Sequence, residues 1–187
     1  MVTRGQGALR TLMVLGCLVS SLCPAAGEEP EGLSENKIKA VYLYYFATFM
    51  DWPPGSLDND SHEIVIGILG EDPFGSILDD TVRGKMVQRR SLTVKRFQSV
   101  QEARQSQILF ISPSEQDQLV HILKVLGDAP VLTVGDGRFA ALGGQIAFQR
   151  EEKKVRFEIN ADAVKRAGLK MSAQLLKLGR IVGDSSP

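Results

Sequence analysis

The chain has 187 residues, and its 22 Lys and Arg are balanced by 22 Asp and Glu, so the formal net charge is zero. Nothing in that balance suggests nucleic-acid binding, which calls for a strongly basic face. The length suits a single domain.

The N-terminal stretch reads as an address rather than as part of the fold. Arg4 and Arg10 give a positive start, Thr11 to Leu22 is a short apolar run, and Ala25-Ala26-Gly27 places small residues before Glu28-Glu29. That order marks a secretory signal peptide. The apolar run falls short of the roughly 20 residues a spanning helix needs. The expected organisation is a signal peptide over 1–27, a polar leader over 28–33, one α/β domain over 34–182 and a flexible tail over 183–187. Val14-Leu15-Gly16-Cys17 offers a rival reading as a lipoprotein box, with Cys17 lipidated; the apolar Leu18-Val19 that follow argue against it. Both cysteines, Cys17 and Cys23, lie in this stretch, so cleavage after Gly27 leaves none. It also removes Arg4 and Arg10, leaving 20 basic against 22 acidic residues, a net of −2. The mature domain then has no disulfide, thiol nucleophile or thiolate metal ligand.

Ser34 is a candidate N-cap for a helix over 36–50. Its apolar positions, Ile38, Val41, Tyr42, Tyr45, Phe46, Phe49 and Met50, fall on a single helical stripe that is expected to be buried. Pro53-Pro54 ends it. Strands and helices then alternate: strands over 63–69, 91–97, 107–111 and 130–134, with helices over 73–82, 100–104 and 114–126. Apolar strands separated by helices predict parallel pairing with helices on both faces. From Ile146 the pattern changes to alternation, with Ile146 and Phe148, then Val155, Phe157 and Ile159, around the charged turn Glu151 to Lys154; this predicts an antiparallel hairpin. Asn160 is a candidate N-cap for a last helix over 161–182. The predicted fold is α/β: a single three-layer domain with a mostly parallel sheet, helices on both faces and an antiparallel C-terminal hairpin.

The motifs argue against catalysis. Gly70-Glu71-Asp72-Pro73-Phe74-Gly75 has the glycine spacing of half a P-loop but lacks the Lys and Ser/Thr that hold phosphate and magnesium, so it reads as a strand-to-helix turn. Gly135-Asp136-Gly137-Arg138-Phe139-Ala140 loosely matches a dinucleotide fingerprint, yet carries a carboxylate in its glycine turn; it reads as a tight turn, with a cap of the short helix by Asp136 as the alternative. His62 and His121 are the only histidines, with no metal-binding spacing and no triad partner. No catalytic residue, cofactor site or metal site is expected. Asp79-Asp80 reads as a solvated helix face. Arg83, Lys85, Arg89, Arg90, Lys95 and Arg96 form the one basic cluster, either a strand edge kept soluble by charge or a docking face for an acidic partner or anionic lipid heads. Trp52, the only tryptophan, either packs under the first strand or contacts a ligand. Candidate partner-binding residues are therefore Arg89, Arg90, Trp52, Asp136 and Phe139.

Several stretches together resemble the YfiR family of periplasmic regulators. They are KAVYLYYFATFMDWP (39–53), IGILGEDPFG (66–75), ILFISP (108–113), PVLTVGDGRFAALGGQIAF (130–148) and VRFEINADAVKRAGLKMSAQLLKLGRIV (155–182). The resemblance implies a regulator in the periplasm of a Gram-negative cell that binds the periplasmic sensor region of an inner-membrane GGDEF protein, a diguanylate cyclase. Holding that cyclase inactive would lower cyclic di-GMP and biofilm formation. It also implies a homodimer. Family members carry disulfide-forming cysteines, which the mature chain here lacks. The rival expectation is a periplasmic small-molecule binding module, with an apolar pocket near Trp52, Asp136 and Phe139 at the carboxyl ends of the strands.

Overall fold

The computed structural model describes residues 31–57, 62–152 and 154–183; the expected signal peptide and most of the tail lie outside them. The chain opens with helix α1 (Glu31–Phe49) and a short strand β1 (Met50–Asp51). Then come β2 (Glu63–Leu69), α2 (Ser76–Val82), β3 (Met86–Val87), β4 (Arg90–Phe97), α3 (Val100–Ala103) and β5 (Ile108–Ile111). A 3₁₀ segment over Pro113–Gln118 leads into α4 (Leu119–Leu126) and β6 (Leu132–Asp136). A second 3₁₀ segment, Gly137–Leu142, precedes the hairpin β7 (Ile146–Glu151) and β8 (Lys154–Asn160). The chain closes with α5 (Ala161–Arg166), β9 (Lys170–Met171), α6 (Ala173–Leu178) and β10 (Arg180–Val182).

Eight strands form one sheet in the order β10-β8-β7-β6-β5-β2-β4-β3, and β1 pairs with β9 separately. The central strands are parallel; β7 and β8 are antiparallel, as their alternating pattern predicts. The register aligns apolar residues in rows, with Val94, Ile66, Ile108 and Leu132 side by side across four strands. Successive strand residues point to opposite faces. Ile64, Ile66, Ile68, Ile108, Phe110, Leu132 and Val134 therefore meet α1, α2, α5 and α6 in one core layer. Leu69, Leu109 and Ile111 meet α3, α4 and Phe139 in the other. This is the three-layer α/β architecture expected from the sequence.

Two helical expectations differ from the structure. In α1 the buried residues are Lys39, Ala40, Leu43, Phe46 and Ala47, while Ile38, Val41 and Tyr45 are 38–40% exposed. The helix is apolar nearly all round, so several stripes fit its periodicity and the pattern alone does not select the inward one. Aromatic packing selects it: the Phe46 ring meets Phe157 at 5.2 Å and Phe148 at 5.9 Å. The helix also begins at Glu31, so Ser34 lies within it.

The second difference concerns the last helix, which is broken into α5, β9, α6 and β10. Gly168 adopts φ +69°, which ends α5, a conformation that glycine adopts without steric cost. Met171 then pairs with Met50, and Ser172 caps α6 by accepting from the Leu175 amide. Gly179 passes so close to Phe157 and Ile159 that a Cβ would come within 2.6 Å of both. The expected cap Asn160 is confirmed: its Oδ1 accepts from the Ala163 amide at 3.0 Å.

Candidate functional site

Three features of the surface are candidates for a functional site. The first is the outer face of α1. Ile38, Val41 and Tyr45 recur at i, i+3 and i+7 and stand exposed together. Their neighbours extend the patch, since the Tyr45 ring packs at a tilt against Tyr44 at 5.6 Å and Phe49 at 6.1 Å. Contiguous exposed apolar surface of this kind marks interaction sites in soluble proteins.

The second feature is the basic hairpin β3–β4. Its two turn residues, Gln88 and Arg89, have φ of 51° and 65°, the sign pattern of a type I′ turn. Such turns usually use Asn and Gly, so neither turn nor strand β3 was visible in the sequence. Arg89 is exposed at the tip and Arg90 starts β4, half-buried. Other members of the basic cluster make ion pairs within the chain. Arg83 pairs with Asp80 at 2.8 Å and Lys95 with Glu63 at 3.8 Å. Arg96 bridges Asp72 and Asp79 at 2.9 and 2.5 Å. Asp79 is thus half of a clamp and not simply a solvated acid; hydrogen bonds from Arg96 hold its carboxyl below the usual range. Lys85 lies 5.0 Å from the centre of the Tyr44 ring, which joins the hairpin base to the α1 face.

The third feature is the turn after β6. Phe139 is wedged between Gly135 and Gly144: a Cβ on either glycine would come within 2.4 Å of its ring. The two glycines exist to lodge this aromatic. Beside Phe139 lies a cavity of about 350 Å³, at the carboxyl ends of β5 and β6, whose walls include Ile111, Leu119 and Leu142. Asp136 borders it but does not cap the segment that follows. Its Oδ1 lies 2.8 Å from Lys39 Nζ on α1. Lys39 also meets Glu35 at 2.7 Å, and Glu35 meets Arg150 at 3.5 Å. Burial raises the Asp136 carboxyl above its ordinary value, and Lys39 opposes that rise.

Trp52 does not join this group. It is 9% exposed, belongs to the core, and donates its indole N–H to the Gln107 carbonyl at the start of β5. That is the amino end of the sheet, so the expected pocket near Trp52, Asp136 and Phe139 contains only the last two. The missed residues are Lys39 and the α1 face. Lys39 was visible only as a charge in an apolar helix, with nothing local to name Asp136 as its partner.

The turn after β2 resembles a phosphate loop only in glycine spacing. Asp72 Oδ1 accepts from the Phe74 and Gly75 amides at 2.7 and 3.2 Å, so the chain's own carboxylate occupies the donors. His62 and His121 are both exposed. Among the described residues, no group of three or more His, Cys, Asp or Glu is placed to hold a metal, and no helix is long and apolar enough to cross a membrane.

The fold is that of a single-domain α/β protein with a mostly parallel sheet. The chain belongs to the YfiR/HmsC-like family, whose model matches residues 36–180, from the first helix to the last strand. The family is regulatory rather than catalytic and periplasmic, with a role in diguanylate cyclase signalling. No curated protein matches the chain.

Proposed function

We propose that this protein is a periplasmic repressor that binds the sensor region of an inner-membrane diguanylate cyclase and holds the enzyme off, lowering cyclic di-GMP and biofilm formation. Family membership supports the regulatory class. The signal-peptide pattern over residues 1–27 supports export. Outside the cytoplasm the GTP that a cyclase consumes is not at hand, so the domain acts on the cyclase by contact. The mature chain begins near Glu28 and works as a homodimer.

The observation that carries a binding role is the exposed Ile38, Val41 and Tyr45 face, continuous through Tyr44 and Lys85 with the basic hairpin. An aromatic centre with a charged rim is the usual composition of a protein interface. In this reading Tyr45 anchors the contact, and Arg89 and Arg90 steer an acidic partner. Repression follows when the domain binds the off state of the sensor more tightly than the on state; equal affinity for both would shift nothing.

The test is capture of the purified sensor region by the mature protein in titration calorimetry. Wild type binds, and Val41→Asp with Tyr45→Asp abolishes capture while the melting temperature holds. Capture unaffected by that pair would move the interface elsewhere. No capture by wild type would end the repressor reading.

A further inference from the structure

The cavity beside Phe139 is not explained by partner binding. It lies on the α4 side of the sheet, whereas the α1 face lies on the other. Its place is the one where open α/β sheets hold ligands, outside the carboxyl ends of parallel strands. At about 350 Å³ it is within the range of small-molecule sites. The sequence maintains it: Gly135 and Gly144 leave room for the Phe139 ring, which is 3% exposed and forms one wall.

The charges around it define the ligand. Ile111, Leu119, Phe139 and Leu142 make the walls apolar. Asp136, the one carboxylate among the lining residues, is paired with Lys39. Arg138 also lines the cavity, is exposed, and makes no ion pair or hydrogen bond among the described residues. Ser112 is 5% exposed, and its hydroxyl oxygen accepts from the Ser114 amide, leaving its proton to donate. An apolar chamber with an unengaged guanidinium and a hydroxyl donor suits an apolar body with one anionic head, because a guanidinium presents paired donors to a carboxylate.

We propose that this cavity is a ligand site for a small amphipathic monocarboxylate. The apolar body, aromatic or short aliphatic, lies against Phe139 and Leu119, and the carboxylate meets Arg138. The site stands independently of the repressor reading, since it involves no residue of the α1 face.

The test uses 2-naphthoate, with neutral 2-naphthalenemethanol as control, each titrated into the purified protein and followed by calorimetry and amide chemical shifts. Saturable 2-naphthoate binding is expected, with shifts concentrated at Gly137–Leu142 and Ser112. The alcohol should bind about fivefold more weakly, the size of one exposed charge-assisted contact. Arg138→Gln should erase that difference, and Leu142→Asp should weaken 2-naphthoate with the melting temperature unchanged. Absence of saturable binding, equal binding of acid and alcohol to wild type, discrimination that survives Arg138→Gln, or shifts confined to other surfaces would each overturn the proposal.

Discussion

Lys39 Nζ lies 2.8 Å from Asp136 Oδ1, so a nearly buried ion pair ties the first helix to the end of β6. The ammonium also lies 5.8 Å from the centre of the Phe148 ring. Removing one partner of such a pair leaves a charge without compensation, which costs more than the pair itself contributes. Lys39→Met should therefore destabilise the protein by up to about 3 kcal/mol. Lys39→Met with Asp136→Asn should recover part of that loss, as urea unfolding would show. The pH dependence has a definite sign. Burial puts the folded carboxyl above its ordinary value of 3.8, so the cost of its charge is absent below that value and grows as pH rises through the folded value. Without Lys39 the folded value rises further. The penalty of Lys39→Met should be largest at neutral pH and shrink toward pH ~4. A penalty that grows on acidification would contradict this account of the pair.

The Arg96 clamp gives the opposite sign. Arg96 holds the Asp79 carboxyl below 3.8 in the folded state, so its contribution is complete above that value and is lost as pH falls through the lowered one. Asp79→Asn should cost about 1 kcal/mol or less at neutral pH, because solvent screens a pair that is a third exposed. Melting curves of variant and wild type should converge below pH ~3.8. A constant gap over the whole range would remove the clamp as its cause.

What the sequence made legible, and what it did not, follows from the range of the interactions. The parallel strands and the β7–β8 hairpin were readable because apolar runs and strict alternation are local patterns. Asn160 was readable as a cap because its acceptor serves an amide three residues away. The inward face of α1 was not, because Tyr45 and Phe46 are both aromatic and only contact with Phe148 and Phe157 separates them. The break after Ala167 was hidden because Gly168 sits among good helix formers and the force that ends α5 includes strand pairing with Met50, over a hundred residues away in sequence. Of the candidate site, Asp136 and Phe139 were found through the glycine turn. Trp52 was misplaced, because sequence does not say which end of the sheet a residue reaches.

The two faces of α1 make separable predictions. Phe46 is fully buried, and Phe46→Ala should cost about 3–5 kcal/mol through lost burial and the cavity left behind. Tyr45→Asp, one residue earlier but 40% exposed, should change stability by about 0.5 kcal/mol or less. Thermal denaturation of the two variants would decide which face supports the fold. Equal losses would put Tyr45 in the core.

The glycines that lodge Phe139 predict a contrast between neighbours. Gly143 has open space around it except for Leu123 at 3.9 Å, although its φ is +100°. Gly143→Ala should cost about 1 kcal/mol through backbone strain. Gly144→Ala would place a methyl within 2.0 Å of the Phe139 ring. It should cost about 1–3 kcal/mol through overpacking, and should also disturb the ring's environment in aromatic NMR signals. An undisturbed Phe139 in the second variant would show that the ring is not held by this contact.

The most direct test of repression is made in cells that carry this gene and an intact membrane GGDEF protein. Cyclic di-GMP is measured in a deletion strain complemented with wild type, with Val41→Asp plus Tyr45→Asp, or with nothing. The account predicts high messenger levels and strong surface attachment in the empty strain. It predicts low levels with wild type, and high levels again with the α1-face variant despite normal abundance of the folded protein in the periplasm. Messenger levels that do not change when the gene is deleted would contradict it.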